Sequence, residues 1–371
     1  MLNSDRVSAP AGRVFSSIQF GSNARIVIAL SGGGDSTALT CLARDHFAAR
    51  GETERLLAVT VDHGLRPESA REAVQAGEFC AGLGVEHIVK RWQDDKPAAG
   101  LQAAARAARY RLLGQAAADA GAGIVLTGHT LDDQAETVAM RAARGAGRGL
   151  SGIAPATLYR RETWFVRPLI GCRRDDLRAW LTGRDQGWIE DPSNRDARFE
   201  RVRVRQGEAG AVADPASFRQ SFETRRAEAE AAAVVLSDHA IWRFDPSGRS
   251  ADLTDPSAIG RAGFGLSLAI VLNWVGQGAY LPAQSVLEKV TAFVTEGASG
   301  TGMTVAGCLL QKTRGGVRIG REARNRREAG HGFDELIPSP DFAAAAALAA
   351  RTGEPSFPPP PLAGYPYGYP E

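Results

Sequence analysis

The first half of the chain alternates between short apolar runs typical of β-strands and longer stretches with helical spacing. Strands that alternate with helices of this length form a mostly parallel sheet with helices on both faces. The predicted fold class is therefore α/β, with a doubly wound, Rossmann-like sheet whose ligands bind beyond the carboxyl ends of the strands. The predicted strands are residues 25–30, 56–61, 86–91 and 124–127, and the predicted helices are residues 36–47, 69–83, 101–118 and 132–144.

A second, smaller domain is predicted after the alternation stops near residue 206. Its predicted helices span residues 217–242, 266–275 and 285–295, and two strand-like runs within residues 301–322 predict a β-hairpin. The last residues are rich in Ala, Pro, Gly and Tyr, a composition that predicts a disordered tail. We therefore divide the chain into an N-terminal arm (1–22), a catalytic domain (23–205), a small, mainly helical domain that ends in the hairpin (206–325) and the tail (326–371).

Cysteine spacing and hydropathy exclude several classes of protein. The four cysteines lie far apart and form no C-x-x-C pair, which argues against a zinc site, an iron–sulfur cluster and a disulfide framework. No apolar run reaches the roughly 18 residues that a membrane span needs, and the first residues lack the apolar core of a secretory signal. We expect a cytoplasmic protein with reduced cysteines and no membrane partner.

The segment SGGGDS, residues 31–36, follows the first predicted strand and opens the first predicted helix. Its glycines allow a sharp turn and a close approach to a ligand, and the N–H groups of the turn and of the helix N-terminus converge on one point. Such a point binds phosphate, and Ser31 and Ser36 add hydroxyl groups. The segment matches neither the GxxxxGK[ST] loop nor GxGxxG. The alternative is a glycine turn in which Asp35 or Ser36 only caps the helix.

A second polar segment, GHTLDDQAET, residues 128–137, follows the fourth predicted strand. Asp132, Asp133 and Glu136 fall in the first turns of a helix, where the helix dipole favours carboxylates. Carboxylates beside a nucleotide suit Mg²⁺ or an ammonium group, whereas the alternative is ordinary N-terminal helix charge. His129 directly follows the strand, where ligands of such sheets bind, so a functional role is favoured over a structural one.

Residues 31–36 resemble the PP-loop of the N-type ATP pyrophosphatases, and the series of motifs resembles the tRNA(Ile)-lysidine synthetase family. The resemblance implies an enzyme that uses ATP to ligate L-lysine to C2 of the first anticodon cytidine of a tRNA(Ile) with a CAU anticodon. The reaction passes through an adenylated cytidine and gives lysidine, AMP and pyrophosphate, and codon reading changes from AUG to AUA. The motifs are VDHGLR (61–66), GLQ followed by Arg106 and Arg109 (100–110), residues 128–137, the glycine-rich residues 144–152, RPL (167–169) and EDPSN (190–194).

The resemblance also implies roles for individual residues, with ATP and Mg²⁺ as cofactors. We expect ATP and pyrophosphate to bind Ser31, Gly32, Gly33, Gly34, Asp35, Ser36 and His63; lysine to bind Asp133 and Glu136; Mg²⁺ to bind Asp35; tRNA to bind Arg144, Arg148, Arg201 and Arg205; and Asp35, Arg109, His129 and Asp133 to act in catalysis. The four tRNA-binding arginines are predicted to contact phosphates, and the alternative is that they are solvated surface charges. The family usually has Asn after the residue that matches Arg201, and here Val202 replaces it.

Three alternatives are considered. A tRNA thiolase of the cytidine-thiolating kind normally carries C-x-x-C ligands, which this sequence lacks. A GMP or asparagine synthetase needs an amidotransferase part, and none is recognised. A non-catalytic RNA- or nucleotide-binding protein would not need the complete set of loop and acidic groups. The sequence leaves the oligomeric state open, including a homodimer.

Overall fold

The computed structural model describes residues 13–65, 68–143, 151–190, 204, 215–247, 249–278, 280–323 and 336–363. The chain divides into two compact units. The first unit comprises Met1–Arg219 and Pro360–Glu371, and the second comprises Gln220–Pro359. The division falls a little beyond the domain boundary predicted near residue 206.

The first unit has the α/β architecture that the sequence predicts. All four predicted strands and the four helices that follow them are present, and three further elements (β5, β6 and α5) were not predicted. Its strands are β1 (Ile26–Ala29), β2 (Leu56–Asp62), β3 (Glu86–Arg91), β4 (Ile124–Leu126), β5 (Ala156–Tyr159) and β6 (Thr163–Val166), and its helices are α1 (Gly34–Ala48), α2 (Ser69–Leu83), α3 (Leu101–Asp119), α4 (Leu131–Ala142) and α5 (Arg174–Thr182).

The strands of the first unit follow the order β5-β6-β4-β1-β2-β3. All neighbouring pairs except β5 with β6 are parallel. Because β1 pairs in parallel with both β2 and β4, the segments that follow these three strands leave the sheet at the same edge. The sheet therefore places residues 31–36, His63 and residues 127–136 on one side of the first unit.

Apolar strand residues and the Ala-rich helix α3 form one face of the core. Val27, Val59 and Val125 of the sheet are at most 1% exposed, and they cluster with Leu113 and Ala116 of α3. Burying such a valine or leucine side chain stabilises a fold by about 1.5–3 kcal/mol. The small alanines of α3 allow the helix to lie close to the strands.

The second unit is built around a buried helix and an antiparallel sheet. Every residue of α7 except Gly265 is buried, and α7 packs with Trp242, which is fully buried. The sheet has the order β7-β8-β11-β10-β9. The helices are α6 (Pro215–Ser237), α7 (Phe264–Gly276), α8 (Gln284–Glu296) and α9 (Phe342–Thr352), and the strands are β7 (Trp242–Asp245), β8 (Ser250–Leu253), β9 (Gly302–Val305), β10 (Cys308–Lys312), β11 (Val317–Arg321) and β12 (Leu336–Pro338).

The predicted hairpin is present, but the second unit contains more strand than the sequence indicates. Strands β10 and β11 pair from Cys308–Arg321 to Lys312–Val317, and Thr313 N donates to Gly316 O (2.9 Å) in the turn. Strands β7 and β8 interrupt the stretch between α6 and α7. The predicted helix over residues 217–242 ends at Ser237, and Trp242 begins β7.

The prediction of a disordered tail is wrong for part of residues 326–371. Helix α9 spans Phe342–Thr352, and its Ala344 and Leu348 belong to the core of the second unit. Asp341, which is buried, precedes α9 and accepts hydrogen bonds from both Nε (2.8 Å) and Nη2 of Arg225 on α6. Alanine is the strongest helix former, so a run of alanines supports a helix when its face can be buried.

Cys41, Cys80, Cys172 and Cys308 are all buried, as predicted, and their thiols are free. No helix in the part of the chain that the structure describes is both long and apolar enough to span a membrane.

The Arg225–Asp341 pair provides a test of the second unit. Replacing Arg225 with Met removes the guanidinium that contacts the buried Asp341 carboxylate, and breaking a buried ion pair by removing one partner typically costs about 3–5 kcal/mol. Arg226→Met is the matched control, because Arg226 is the next residue on α6 and its ion pair among the described residues is an exposed one with Glu230. We expect the melting temperature measured by calorimetry to fall by at least about 6 °C in Arg225→Met and by less than about 2 °C in Arg226→Met. Equal shifts in the two variants would contradict this assignment.

Candidate active site

The loop at residues 31–36 has a fixed, hydrogen-bonded shape. Gly32 has a φ of 80°, in the left-handed region that favours glycine, and it lets the chain turn from β1 into α1. The Ser36 hydroxyl donates to Gly33 O (2.9 Å) and accepts from Ser31 N (3.1 Å), which closes the turn. The Ser36 side chain is therefore engaged within the loop, and its hydroxyl also lies 3.1 Å from the hydroxyl of Ser31, which is exposed.

Helix α1 begins at Gly34, directly inside the loop, and Gly33 caps it without a side-chain hydrogen bond. The first N–H groups of a helix have no partner within the helix and carry the positive end of its dipole. The N–H groups of Gly34 and Asp35 and the hydroxyl of Ser31 are thus the donors that the loop offers to an anion.

Two apolar residues that sequence reasoning missed lie against the loop. Ile189 N donates to Gly32 O (2.9 Å), and a Cβ atom on Gly32 would lie 2.6 Å from Ile189 Cδ1. A Cβ atom on Gly34 would lie 3.5 Å from Trp188 Cδ1. The pair Trp188-Ile189 directly precedes the acidic motif at 190–194, and its apolar character was the available signal. These contacts pack one side of the loop.

Gly128 brings the second motif against the first. A Cβ atom at this position would lie 3.1 Å from Asp35 C, Asp35 O and Ser36 N, all of which are backbone atoms. Only a glycine permits this separation without moving the loop. The next residue, His129, is half-buried, and its Nδ1 lies 3.1 Å from the Thr127 hydroxyl. His129 is therefore oriented by its neighbour beside the loop.

The acidic residues of α4 have separate structural connections. Asp133 Oδ2 accepts from Thr130 N (2.8 Å) and from the Thr130 hydroxyl (3.2 Å), which forms a capping box at the start of α4. Asp132 Oδ2 accepts from the backbone N of Arg174 (2.8 Å) and so caps α5. Gln134 is buried and holds Ile153 through Ile153 N and Ile153 O. Asp133 Oδ1 and Glu136 Oε1 instead face the side chain of Arg174.

Asp35, Asp133 and Glu136 converge on one cation, the guanidinium of Arg174. Arg174 Nε lies 3.1 Å from Asp35 Oδ2, Nη2 lies 3.1 Å from Asp133 Oδ1, and Nη1 lies 3.4 Å from Glu136 Oε1. The structure thus brings the predicted base and the two predicted lysine ligands together, although Arg174 itself was not predicted. Arg174 lies 139 residues from Asp35 in the sequence, so no local spacing pattern could have predicted their contact.

Burial and charge oppose each other in this cluster. Burial raises the pKa of Asp35 above its ordinary value, although Arg174 acts in the opposite direction. Burial alone would lower the pKa of Arg174, but Asp133, Asp35 and Glu136 outweigh it and raise that pKa. Arg174 is therefore firmly protonated, and Asp35 is a stronger base than an exposed aspartate.

His63, which directly follows β2, lies beside Arg109 of α3. Arg109 Nη2 lies 3.5 Å from His63 Nε2, and the ring of Trp92 contacts His63 edge-on at 5.9 Å between centroids. Burial, and next the charge of Arg109, lower the pKa of His63 to about 4. His63 is therefore neutral at physiological pH and can accept as well as donate a hydrogen bond.

The four predicted tRNA contacts, Arg144, Arg148, Arg201 and Arg205, lie outside the described residues, as does Val202. Their roles stay predictions from the sequence. Arg106, which shares a helix with Arg109, is exposed and contacts the ring of Tyr110.

Fold and site together define a PP-loop protein: a family model described as the PP-loop domain matches residues 9–208, more than half of the chain. Proteins called tRNA(Ile)-lysidine synthase are its relatives over most of its length. The one from Mesorhizobium japonicum is 42% identical over 342 residues, which cover 88% of this chain and 73% of the relative. The one from Rhizobium meliloti is 38% identical (81% and 68% covered), and the one from Brucella ovis is also 38% identical (84% and 72% covered). The chain belongs to the tRNA(Ile)-lysidine synthase family.

The contact at Gly128 predicts a specific sensitivity of the loop. In Gly128→Ala the added Cβ must push the backbone of Asp35 and Ser36, because no flexible side chain can yield there. We expect ATP to bind at least about tenfold more weakly by calorimetry, a loss of about 1.4 kcal/mol. Gly123→Ala is the matched control, because Gly123 lies at the other end of β4 and a Cβ atom there meets nothing within 4 Å. Equal ATP affinity in the two variants would show that the close approach does not hold the loop.

Proposed function

We propose that this protein ligates L-lysine to C2 of the first anticodon cytidine of a cytoplasmic tRNA(Ile) with a CAU anticodon, using ATP and releasing AMP and pyrophosphate. The relatives' name supports the product class. The observation that carries the proposal is the convergence of Asp35, from the PP-loop, with Asp133 and Glu136, from α4, within 3.1–3.4 Å of one cationic group. A site for an anionic nucleotide thus adjoins a site for an amine.

The first step activates the base. The C2 oxygen of cytosine attacks the α-phosphate, the bond between the α- and β-phosphates breaks, and pyrophosphate leaves. The N–H groups of Gly34 and Asp35 and the Ser31 hydroxyl are the donors proposed to hold the departing pyrophosphate. Activation is needed because the C2 oxygen is otherwise a very poor leaving group.

Three residues around the loop are proposed to assist nucleotide transfer. Arg109 neutralises negative charge on the α-phosphate. His63, which is neutral, offers a donor or acceptor to the nucleotide. His129 donates a hydrogen bond to the adenylated cytidine, a role supported by its place beside the loop at the end of β4.

In the second step, the ε-amine of lysine attacks C2 and expels AMP. Only a neutral amine is a nucleophile, and the unperturbed pKa of lysine is about 10.4, so a base has to remove a proton. We assign this role to Asp35, since its raised pKa brings it nearer to the pH of the reaction. Asp133 and Glu136 are proposed to hold lysine through its ammonium charge.

The donor set around Asp35 fits Mg²⁺ bound mainly through phosphates. Magnesium typically binds one or two carboxylates together with substrate phosphates and water, and it neutralises phosphate charge. Asp35 Oδ1 is buried and has no hydrogen-bond partner among the described residues, so it can serve as such a ligand. No cluster of three or more metal-binding side chains occurs in the described ranges, which agrees with a metal held largely by the nucleotide.

The remaining part of the proposal concerns the tRNA. Arg144, Arg148, Arg201 and Arg205 are proposed to contact its phosphates, which position a nucleic acid without reading its sequence. A single-stranded anticodon base can be splayed out and read by its edges. Lysidine pairs with A rather than G, so the modified tRNA reads AUA in place of AUG.

The direct test is transfer of labelled lysine. Purified protein, Mg-ATP and labelled L-lysine are incubated with a CAU tRNA(Ile) transcript, or with the same transcript carrying another base at the first anticodon position. We expect label only in the first transcript. Asp35→Asn should lower the rate at least about 100-fold, because it removes a general base.

Asp176→Asn is the control for this experiment, since Asp176 is an exposed carboxylate in the first turn of α5. It should keep the wild-type rate. Label in both transcripts, or ATP-dependent AMP release with no lysine transferred to either one, would disprove the assignment of substrate.

A further inference from the structure

The acidic cluster of Asp35, Asp133 and Glu136 already holds a cation, the side chain of Arg174. The three guanidinium nitrogens each face a different carboxylate, at 3.1, 3.1 and 3.4 Å. The Arg174 side chain is only 11% exposed. An ammonium group that binds these same carboxylates would have to enter the space that the guanidinium occupies.

The contacts of the two Asp133 oxygen atoms imply that lysine and Arg174 compete for the same atom. Asp133 Oδ2 receives two hydrogen bonds from Thr130 and is engaged in capping α4. The other oxygen, Oδ1, is the one that faces Arg174. Lysine can therefore reach Asp133 on the ligand side only through the atom that Arg174 contacts.

Arg174 can leave the cluster without unfolding its helix. Its backbone N is held by Asp132 at 2.8 Å, so the start of α5 stays fixed independently of the side chain. The guanidinium stands at the end of a long side chain with several rotatable bonds, which regains rotamer freedom on release. The backbone bond to Asp132 therefore does not depend on where the guanidinium lies.

We propose that Arg174 is a specificity-determining residue that fills the ammonium subsite while lysine is absent and withdraws when lysine binds. This inference rests on the proposed function, because it takes lysine as the amine. An incoming amine has to replace three charge-assisted contacts. Lysine can offset this loss through its second amino group and its carboxylate, whereas a simple alkylamine cannot. Arg174 thus excludes small amines from Asp35.

The test is the binding of free L-lysine and of n-butylamine, measured by calorimetry in a magnesium-free potassium buffer without ATP or tRNA. Removing the internal competitor in Arg174→Ala should tighten lysine binding at least tenfold relative to the wild type. It should also make n-butylamine binding measurable, whereas we expect no measurable binding to the wild type. Arg178→Ala is the matched control: Arg178 lies one turn further along α5, is exposed, and acts on Asp35 only through its charge among the described contacts. Its lysine affinity should stay within twofold.

Unchanged or weaker lysine binding in Arg174→Ala, or equal tightening in Arg178→Ala, would overturn the inference. If Arg174→Ala does not fold, Arg174→Lys replaces it. A single, shorter ammonium cannot face three carboxylates, so lysine should bind about threefold or more tightly than to the wild type, and an unchanged affinity would again overturn the inference.

Failure of this inference is distinguishable from failure of the proposed function. The calorimetric assay contains neither ATP nor tRNA, whereas the proposed function is judged by wild-type transfer of lysine to tRNA. If lysine is transferred to tRNA but Arg174→Ala does not bind lysine more tightly, only the role of Arg174 is wrong. If Arg174→Ala binds lysine more tightly but the wild type transfers no lysine to tRNA, only the proposed reaction is wrong.

Discussion

The parallel pairing of β1 with β4 is the constraint on which the site depends. Ile26 pairs with Ile124, and Ile28 pairs with Leu126, so the two strands end side by side. The chain that leaves β1 forms the PP-loop, and the chain that leaves β4 forms the start of α4. Gly128 then permits backbone contact between the two segments. Donors for an anion and carboxylates for a cation are consequently held next to each other, directly after two neighbouring strands of one sheet.

Three neighbouring polar residues of α4, Asp132, Asp133 and Gln134, are each oriented by a hydrogen bond to the surrounding structure before any substrate binds. Asp133 caps its own helix, Asp132 caps α5, and Gln134 secures the backbone of Ile153. A side chain fixed in this way loses little freedom on binding, which is the basis of a preorganised site. The other oxygen of Asp133 faces Arg174, which balances part of the negative charge. Asp133, a proposed lysine ligand, thus also stabilises the start of α4.

The sequence was sufficient to predict the helices and strands with strong hydrophobic periodicity and the position of the motifs that follow the strand ends. It was insufficient for β5 and β6, because the turn between them has Arg160 and Arg161 at positive φ, where glycine or asparagine would have indicated a hairpin. Arg174 could not be assigned, since its contacts are with residues far away in the chain. The Ala-rich run of α9 was ambiguous, because alanines suit both a low-complexity tail and a packed helix.

The proposed reaction combines the PP-loop with the acidic start of α4, and in it the tRNA base is activated before lysine attacks. The most direct measurement omits lysine and supplies ATP labelled in its α-phosphate together with the CAU tRNA(Ile). Label should become attached to the tRNA, and added lysine should release it as AMP in an amount equal to the lysidine formed. Lysidine formation from a tRNA that never carries the label, or label that lysine does not release, would contradict activation of the base by adenylation.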